Sequence, residues 1–68
     1  MKIIPKFDKG DKVTFVFGDR TETGTVEVVD IFRIPKDLFV IAYDILVENG
    51  AEKTLYKHVK EKDVDKAE

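Results

Sequence analysis

The stretch that decides the fold is LFVIAYDILVE, residues 38–48. Every second residue from Phe39 to Val47 is large and apolar, and this period of two is the pattern of a β-strand. The first half of the stretch is apolar on its other face as well, so we expect that half to be covered on both sides. The stretch therefore predicts the central strand of an all-β domain.

A tight hairpin is predicted directly after this strand, because Asn49–Gly50 is a strong hairpin signal. A two-residue Asn49–Gly50 turn would pair Tyr43 with Tyr56. A three-residue loop over 48–50, with Gly50 left-handed, would pair Tyr43 with Leu55. A slip of one residue moves every side chain to the other face of the sheet. Burial of Leu55 beside the apolar face favours the three-residue loop.

The same patterns predict the other elements. A phase slip in the second strand, where the apolar residues change parity near Val28-Val29, predicts a bulge or a sharp bend. In chain order, we expect an extended arm over 1–8, a strand over 12–17, a polar loop over 18–24, a strand over 25–32, a break at 34–37, a fourth strand over 51–58, one helical turn over 59–64, a short last strand near 64–65 that returns to the first, and a frayed tail over 66–68.

Length and composition restrict the class of protein. A chain of 68 residues forms one domain at most. It contains no cysteine, which excludes disulfides and thiolate metal sites and indicates a reducing, cytoplasmic location. No apolar run approaches the length of a membrane span. The formal net charge is −2, which lowers the expectation of nucleic-acid binding because such binding draws on Lys and Arg.

The residue types that carry catalysis are sparse. There is no serine, and the single histidine, His58, has no carboxylates at a metal-ligand spacing along the sequence. Acidic neighbours such as Glu61 and Asp63 are typical of solvated turns rather than of an acid–base pair. We therefore expect no enzyme activity, no cofactor and no metal site.

Several segments resemble SH3-like barrels, above all the small single-domain versions of bacteria and phages. They are FDKGDKV (7–13), TGTV (23–26), YDI (43–45) with the hairpin 48–50, and VKEKDV (59–64). The resemblance implies a five-stranded antiparallel SH3-like barrel with one short helical turn before the last strand. The chain lacks the tryptophan with which eukaryotic SH3 domains bind proline-rich ligands, and it lacks the basic balance of ribosomal relatives.

The functional expectation is a non-catalytic protein-interaction module, and a homo-oligomer is one form that it can take. The alternative is a nucleic-acid-binding domain with a Lys-rich face on the fourth strand and the following turn. Phe39 and Tyr43 are expected in the core. Leu46 and Tyr56 are expected to form an apolar strip on the outside of the third and fourth strands, which is either exposed or covered by the N-terminal arm. The candidate interaction residues are Arg20, Arg33, Lys36, Leu46, Lys53, Tyr56, Lys57 and His58.

Overall fold

A computed structural model describes residues 3–34 and 38–67. The described chain is all-β, as the sequence predicts, with five strands and one 3₁₀ turn. They are β1 (Lys12–Phe17), β2 (Arg20–Ile34), β3 (Leu38–Asn49), β4 (Glu52–Lys60), the 3₁₀ turn (Glu61–Asp63) and β5 (Val64–Lys66). The predicted break at 34–37 lies mostly outside the described residues, since 35–37 are not among them.

The strands form one antiparallel sheet in the order β4-β3-β2-β1-β5. The predicted return of the last strand to the first is confirmed, because Phe15 pairs with Val64. Over residues 3–34 and 38–67 the sheet is not closed into a barrel, and β4 and β5 are its two edges. At the end of the chain Lys66 pairs with Val13, and the Ala67 N–H donates to the Lys12 carbonyl at 3.1 Å.

The first hairpin is tighter than the predicted polar loop. Phe17 pairs with Arg20, so only Gly18 and Asp19 form the turn. Gly18 has a φ of +65°, a conformation that glycine adopts without strain. The polar residues that follow are part of β2 because their backbone pairs with β1 and their polar side chains can remain in solvent.

The predicted irregularity in the second strand is confirmed, slightly earlier than expected. The pairing of β2 with β3 shifts between Val26 and Val28, which leaves Glu27 as the extra residue. Up to Thr25, β2 pairs with β1, and from Thr25 onward it pairs with β3. The bulge bends β2 at the position where it changes partners.

Neither predicted register of the second hairpin is found. Asn49 pairs with Glu52, so the turn is Gly50–Ala51, and Gly50 has a φ of +63°. Glycine at the first turn position is the pattern of a type II′ hairpin, which competes with the Asn-Gly turn that the sequence suggests. Leu55 consequently lies opposite Leu46 and is 43% exposed, not buried.

A small core lies between the two halves of the bent sheet. Its fully buried members come from β1, β2, β3 and β5, with Phe7, Val29, Ile41, Tyr56 and Val59 packed around it. The buried set is Val13, Phe15, Val26, Tyr43, Ile45, Val47 and Val64. Tyr43 is in the core as expected, whereas Phe39 is 47% exposed.

Candidate functional site

The β2–β3 hairpin extends beyond the rest of the sheet. The pairing of β4 with β3 ends at Ala42 opposite Lys60, and the pairing of β1 with β2 ends at Thr25. Residues 31–34 and 38–41, which we call the ribbon, therefore form a two-stranded ladder, with no third strand among the described residues. A two-stranded sheet is marginally stable in water without further cover.

Apolar side chains are exposed on both faces of the ribbon. Phe32 and Ile34 share one face with Leu38, since Phe32 lies opposite Val40 and Ile34 opposite Leu38. Ile31 and Phe39 lie on the other face. These five side chains are 37–57% exposed. Large apolar side chains are therefore clustered at one end of the described sheet and exposed on both of its faces.

The chain is less compact than its length requires. Its radius of gyration is 12.4 Å and its dimensions are 42 × 22 × 18 Å. A compact domain of this length has a radius of gyration of about 11 Å. The accessible surface is 5301 Å². A compact monomer of this mass exposes about 4,400 Å². The difference, roughly 900 Å² by the same relation, is surface that a fully compact monomer would bury.

A shallow groove beside the edge strand β4 gathers several basic side chains. Its volume is about 330 Å³, and it is lined by Lys57, Lys60 and Lys62 together with Phe17 and Tyr56. The Phe17 and Tyr56 rings pack edge to face with centroids 4.8 Å apart. Asp63 also lines this groove, so the lysines share it with one carboxylate.

The predicted interaction residues are spread over different parts of the structure. Lys57, His58 and Tyr56 lie at the basic groove, and Arg33 lies on the ribbon. Arg20 pairs with Glu22 at 3.5 Å on the first hairpin. Lys53 lies opposite Glu48, away from the groove, and Lys36 is outside the described residues.

The predicted outer strip of Leu46 and Tyr56 does not form, because of the change in register. Tyr56 lies opposite Ile45 on the core side, where its ring packs against Phe15 at 5.1 Å. Leu46 lies on the outer side, opposite Leu55. The apolar pair on the outside of β3 and β4 is therefore Leu46 with Leu55.

One group of potential metal ligands forms on the outer side of the sheet. Asp30, Asp44 and His58 each place a donor atom within 4.8 Å of the others. The His58 backbone N–H donates to Asp44 Oδ1 at 3.0 Å, and His58 Nδ1 lies 4.0 Å from Asp30 Oδ2. Sequence reasoning missed this group because its members are far apart in the chain. The one available signal was Asp44, which interrupts an otherwise apolar stretch of β3.

A partly buried hydrogen-bond network connects the N-terminal arm to the 3₁₀ turn. The Tyr43 hydroxyl donates to Glu61 Oε2 at 2.6 Å and accepts from the Phe7 N–H at 3.2 Å. The Lys6 N–H donates to the same Glu61 oxygen at 2.9 Å. Burial, together with the hydrogen bond to Glu61, raises the pKa of Tyr43 to about 12. The network is a structural tie between arm, core and turn.

Comparison with protein-family models, with curated proteins and with solved structures gives no match for this chain. Among the described residues, none belongs to a helix of the length and apolar character that crossing a membrane requires.

Proposed function

We propose that this chain is a non-catalytic protein-interaction module, and that the ribbon is its contact surface. The observation that carries the proposal is the exposure of large apolar side chains on both faces of a two-stranded ladder. Burying these side chains against a partner removes apolar area from water, at about 25 cal/mol per Å². The cytoplasm is the compartment that the absence of cysteine favours.

The proposed module is SH3-like. The assignment is supported by the strand order, by the division of β2 between two partners, and by the 3₁₀ turn before β5. The sheet is open between its two edge strands, β4 and β5, and this opening is the difference from a closed barrel. The sequence segments that resemble small bacterial and phage domains support the same assignment.

The partner that we propose is a second copy of this chain. The ribbon carries one charged side chain, Arg33, among eight residues, so two ribbons would meet with little repulsion between like charges. The excess surface of roughly 900 Å² matches the approximately 800 Å² per partner of a standard interface. Contact of like with like around a twofold axis is the commonest assembly of soluble chains.

The test is sedimentation equilibrium over a range of concentrations. The native chain is expected to approach twice its 7.8 kDa mass as concentration rises. The double variant Ile31→Lys, Phe39→Lys is expected to remain monomeric, because it places charge on one ribbon face. Leu55→Lys is the matched control, since Leu55 is exposed to a similar degree on β4, outside the ribbon. A native chain that stays monomeric at all concentrations contradicts the proposal.

A second candidate function rests on the basic groove. Lys57, Lys60 and Lys62 beside the Phe17–Tyr56 pair combine phosphate-binding charge with aromatic faces on which bases can stack. Binding of a fluorescent single strand would weaken with salt. The slope of log K against log[salt] would be about −2 if three phosphates are contacted.

The discriminating variants remove lysines inside the groove or one lysine outside it. Lys60→Ala combined with Lys62→Ala is expected to reduce that salt slope, whereas Lys53→Ala, on the same strand outside the groove, should leave it unchanged. Absence of binding to single-stranded DNA and RNA at low salt would remove this candidate.

A further inference from the structure

Asp44 occupies an unfavourable position for a carboxylate. It lies in the middle of β3 between buried residues and is only 9% exposed. Burial of an ionised carboxylate is costly unless the charge is paired and hydrogen-bonded. Among the described residues it accepts one hydrogen bond, from the His58 N–H to Oδ1. A carboxylate can accept about four. Oδ1 is therefore engaged by His58, and the carboxylate keeps acceptor capacity for a further ligand.

The other two members of the group face the same point from neighbouring strands. Val28 on β2 lies directly opposite Asp44, and Asp30 follows Val28 by two residues, so Asp30 shares the outer face with Asp44. His58 comes from β4, on the other side of β3. Its side chain is 60% exposed and that of Asp30 is 30% exposed, so the group opens to solvent.

A distortion of β4 directs His58 toward this point. Between the pairs Tyr43–Val59 and Ile45–Tyr56, β4 has two residues where β3 has only Asp44. His58 is one of these two, and it has a φ of +59°, the single positive value among the described non-glycine residues. Its ring also packs against Phe32 with centroids 5.3 Å apart. The backbone and the Phe32 contact together direct the imidazole toward Asp30 and Asp44.

We propose that Asp30, Asp44 and His58 bind one divalent transition-metal ion, and that zinc is the metal they fit best. One imidazole and two carboxylates are ligands that zinc accepts in tetrahedral sites with a fourth position open to water. A dication would compensate the buried charge of Asp44 through the oxygen that does not accept from His58. Calcium and magnesium prefer all-oxygen sites of six or more ligands, which a group with an imidazole does not provide.

The distances require only a small adjustment. Ligand atoms around a tetrahedral zinc lie about 2.0–2.2 Å from the metal. Two of them are then separated by about 3.3–3.6 Å on those bond lengths. The separation of 4.0 Å between His58 Nδ1 and Asp30 Oδ2 exceeds this range by about 0.4–0.7 Å. The donor atoms of the whole group lie within 4.8 Å of one another. Rotation of the two partly exposed side chains can close the difference without a change in the backbone.

The test is titration of the tag-free chain with zinc chloride alone, by calorimetry and by NMR of the histidine ring. The chain has one histidine and no cysteine, so the imidazole signals report on His58 without ambiguity. We expect one zinc per chain and a shift of the His58 ring signals that saturates at the same stoichiometry. Cobalt is expected to give the visible absorption of a tetrahedral site.

Three variants and a control make the test specific. Asp30→Asn, Asp44→Asn and His58→Asn each remove one ligand, and asparagine tolerates the positive φ at 58. Even the loss of a residue that only hydrogen-bonds to a metal ligand weakens metal binding about 10–100-fold. Each ligand variant is therefore expected to weaken zinc binding at least about tenfold. Asp65→Asn, an exposed carboxylate on β5, should bind zinc like the native chain.

The outcome that overturns the proposal is equally specific. It is overturned if zinc leaves the His58 ring signals unchanged, or if the ligand variants bind as tightly as Asp65→Asn. Circular dichroism of each variant in the presence of a chelator checks that the fold is intact without metal.

Discussion

Gly24 is the residue with the least space for a side chain. Its φ lies outside the left-handed region, so the backbone alone would permit alanine. A Cβ there would lie 2.7 Å from Ile45 Cγ2 and would press on the Leu46 carbonyl. Two strands therefore approach each other closely at this point, and the glycine permits the approach.

We expect Gly24→Ala to lower the free energy of unfolding by about 1–3 kcal/mol, the usual cost of overpacking. Urea denaturation measures the change. Thr21→Ala, an exposed position on the same strand, serves as the control and should change the stability by less than about 0.5 kcal/mol. Equal stability of the two variants would show that the strands are not closely packed at Gly24.

Tyr43 makes the free energy of unfolding depend on pH in the alkaline range. Its pKa is raised to about 12 in the folded chain, above the ordinary value of 10.0. The unfolded chain therefore loses the tyrosine proton first. The stabilisation is complete below pH 10 and is lost as pH rises from about 10 to about 12. Thermal unfolding across this window is the measurement.

Tyr43→Phe removes that contribution and also leaves the Phe7 N–H without the hydroxyl that accepts from it. Loss of a partner for a buried polar group costs about 1–3 kcal/mol. The variant should be less stable at neutral pH and should show a smaller decline between pH 10 and 12. If its decline is as steep as that of the native chain, the hydroxyl is not responsible.

At the scale of elements, the apolar alternation predicted the first three strands, and the hairpin signal after β3 predicted the fourth. The segment 59–64 and the resemblance to SH3-like barrels predicted the helical turn and the short last strand that returns to the first. The alternation of β3 identified the core side from Ile41 to Val47 correctly. The register of the second hairpin was not predictable, because Gly50 can serve in two turn types and the choice depends on what β4 contacts. Because β4 has an extra residue at His58, the side chains before and after it do not follow the alternation between the two sheet faces that an unbroken strand would have.

The bulge in β4 depends on Asp44. Asp44→Ala would leave the His58 N–H without its acceptor, and we expect a loss of about 1–3 kcal/mol in the presence of a chelator. Asp44→Asn keeps an oxygen at this position and should lose less. Chemical denaturation compares the two. Equal destabilisation by alanine and asparagine would show that the oxygen that accepts from the His58 N–H does not stabilise the bulge.

For the candidate site, the sequence supplied the residue types but not their grouping. The excess of apolar residues on both faces near Phe39 predicted a covered segment, and this excess became the exposed ribbon. The groove lysines were predicted as a cluster, although the strand geometry excludes Lys53 from it. The group of Asp30, Asp44 and His58 depends on strand pairing and on two bulges, which no local pattern indicates.

At the scale of the whole molecule, the chain has a small core and an extension that the core does not cover. The core packs against β1, β5 and the part of β3 that pairs with β4. The ribbon extends beyond the core and has apolar side chains on both faces. We therefore expect the ribbon to open more readily than the rest of the described sheet in an isolated chain, because its ladder has only two strands. Contact with a second copy would supply the missing cover.

Amide hydrogen exchange measured as a function of protein concentration tests this account most directly. The amides of residues 31–34 and 38–41 are expected to exchange rapidly at low concentration and more slowly as the second copy covers the ribbon. The amides of Tyr43 and Ile45, in the core, should exchange at the same slow rate throughout. Ribbon amides whose exchange does not depend on concentration would contradict self-association through the ribbon.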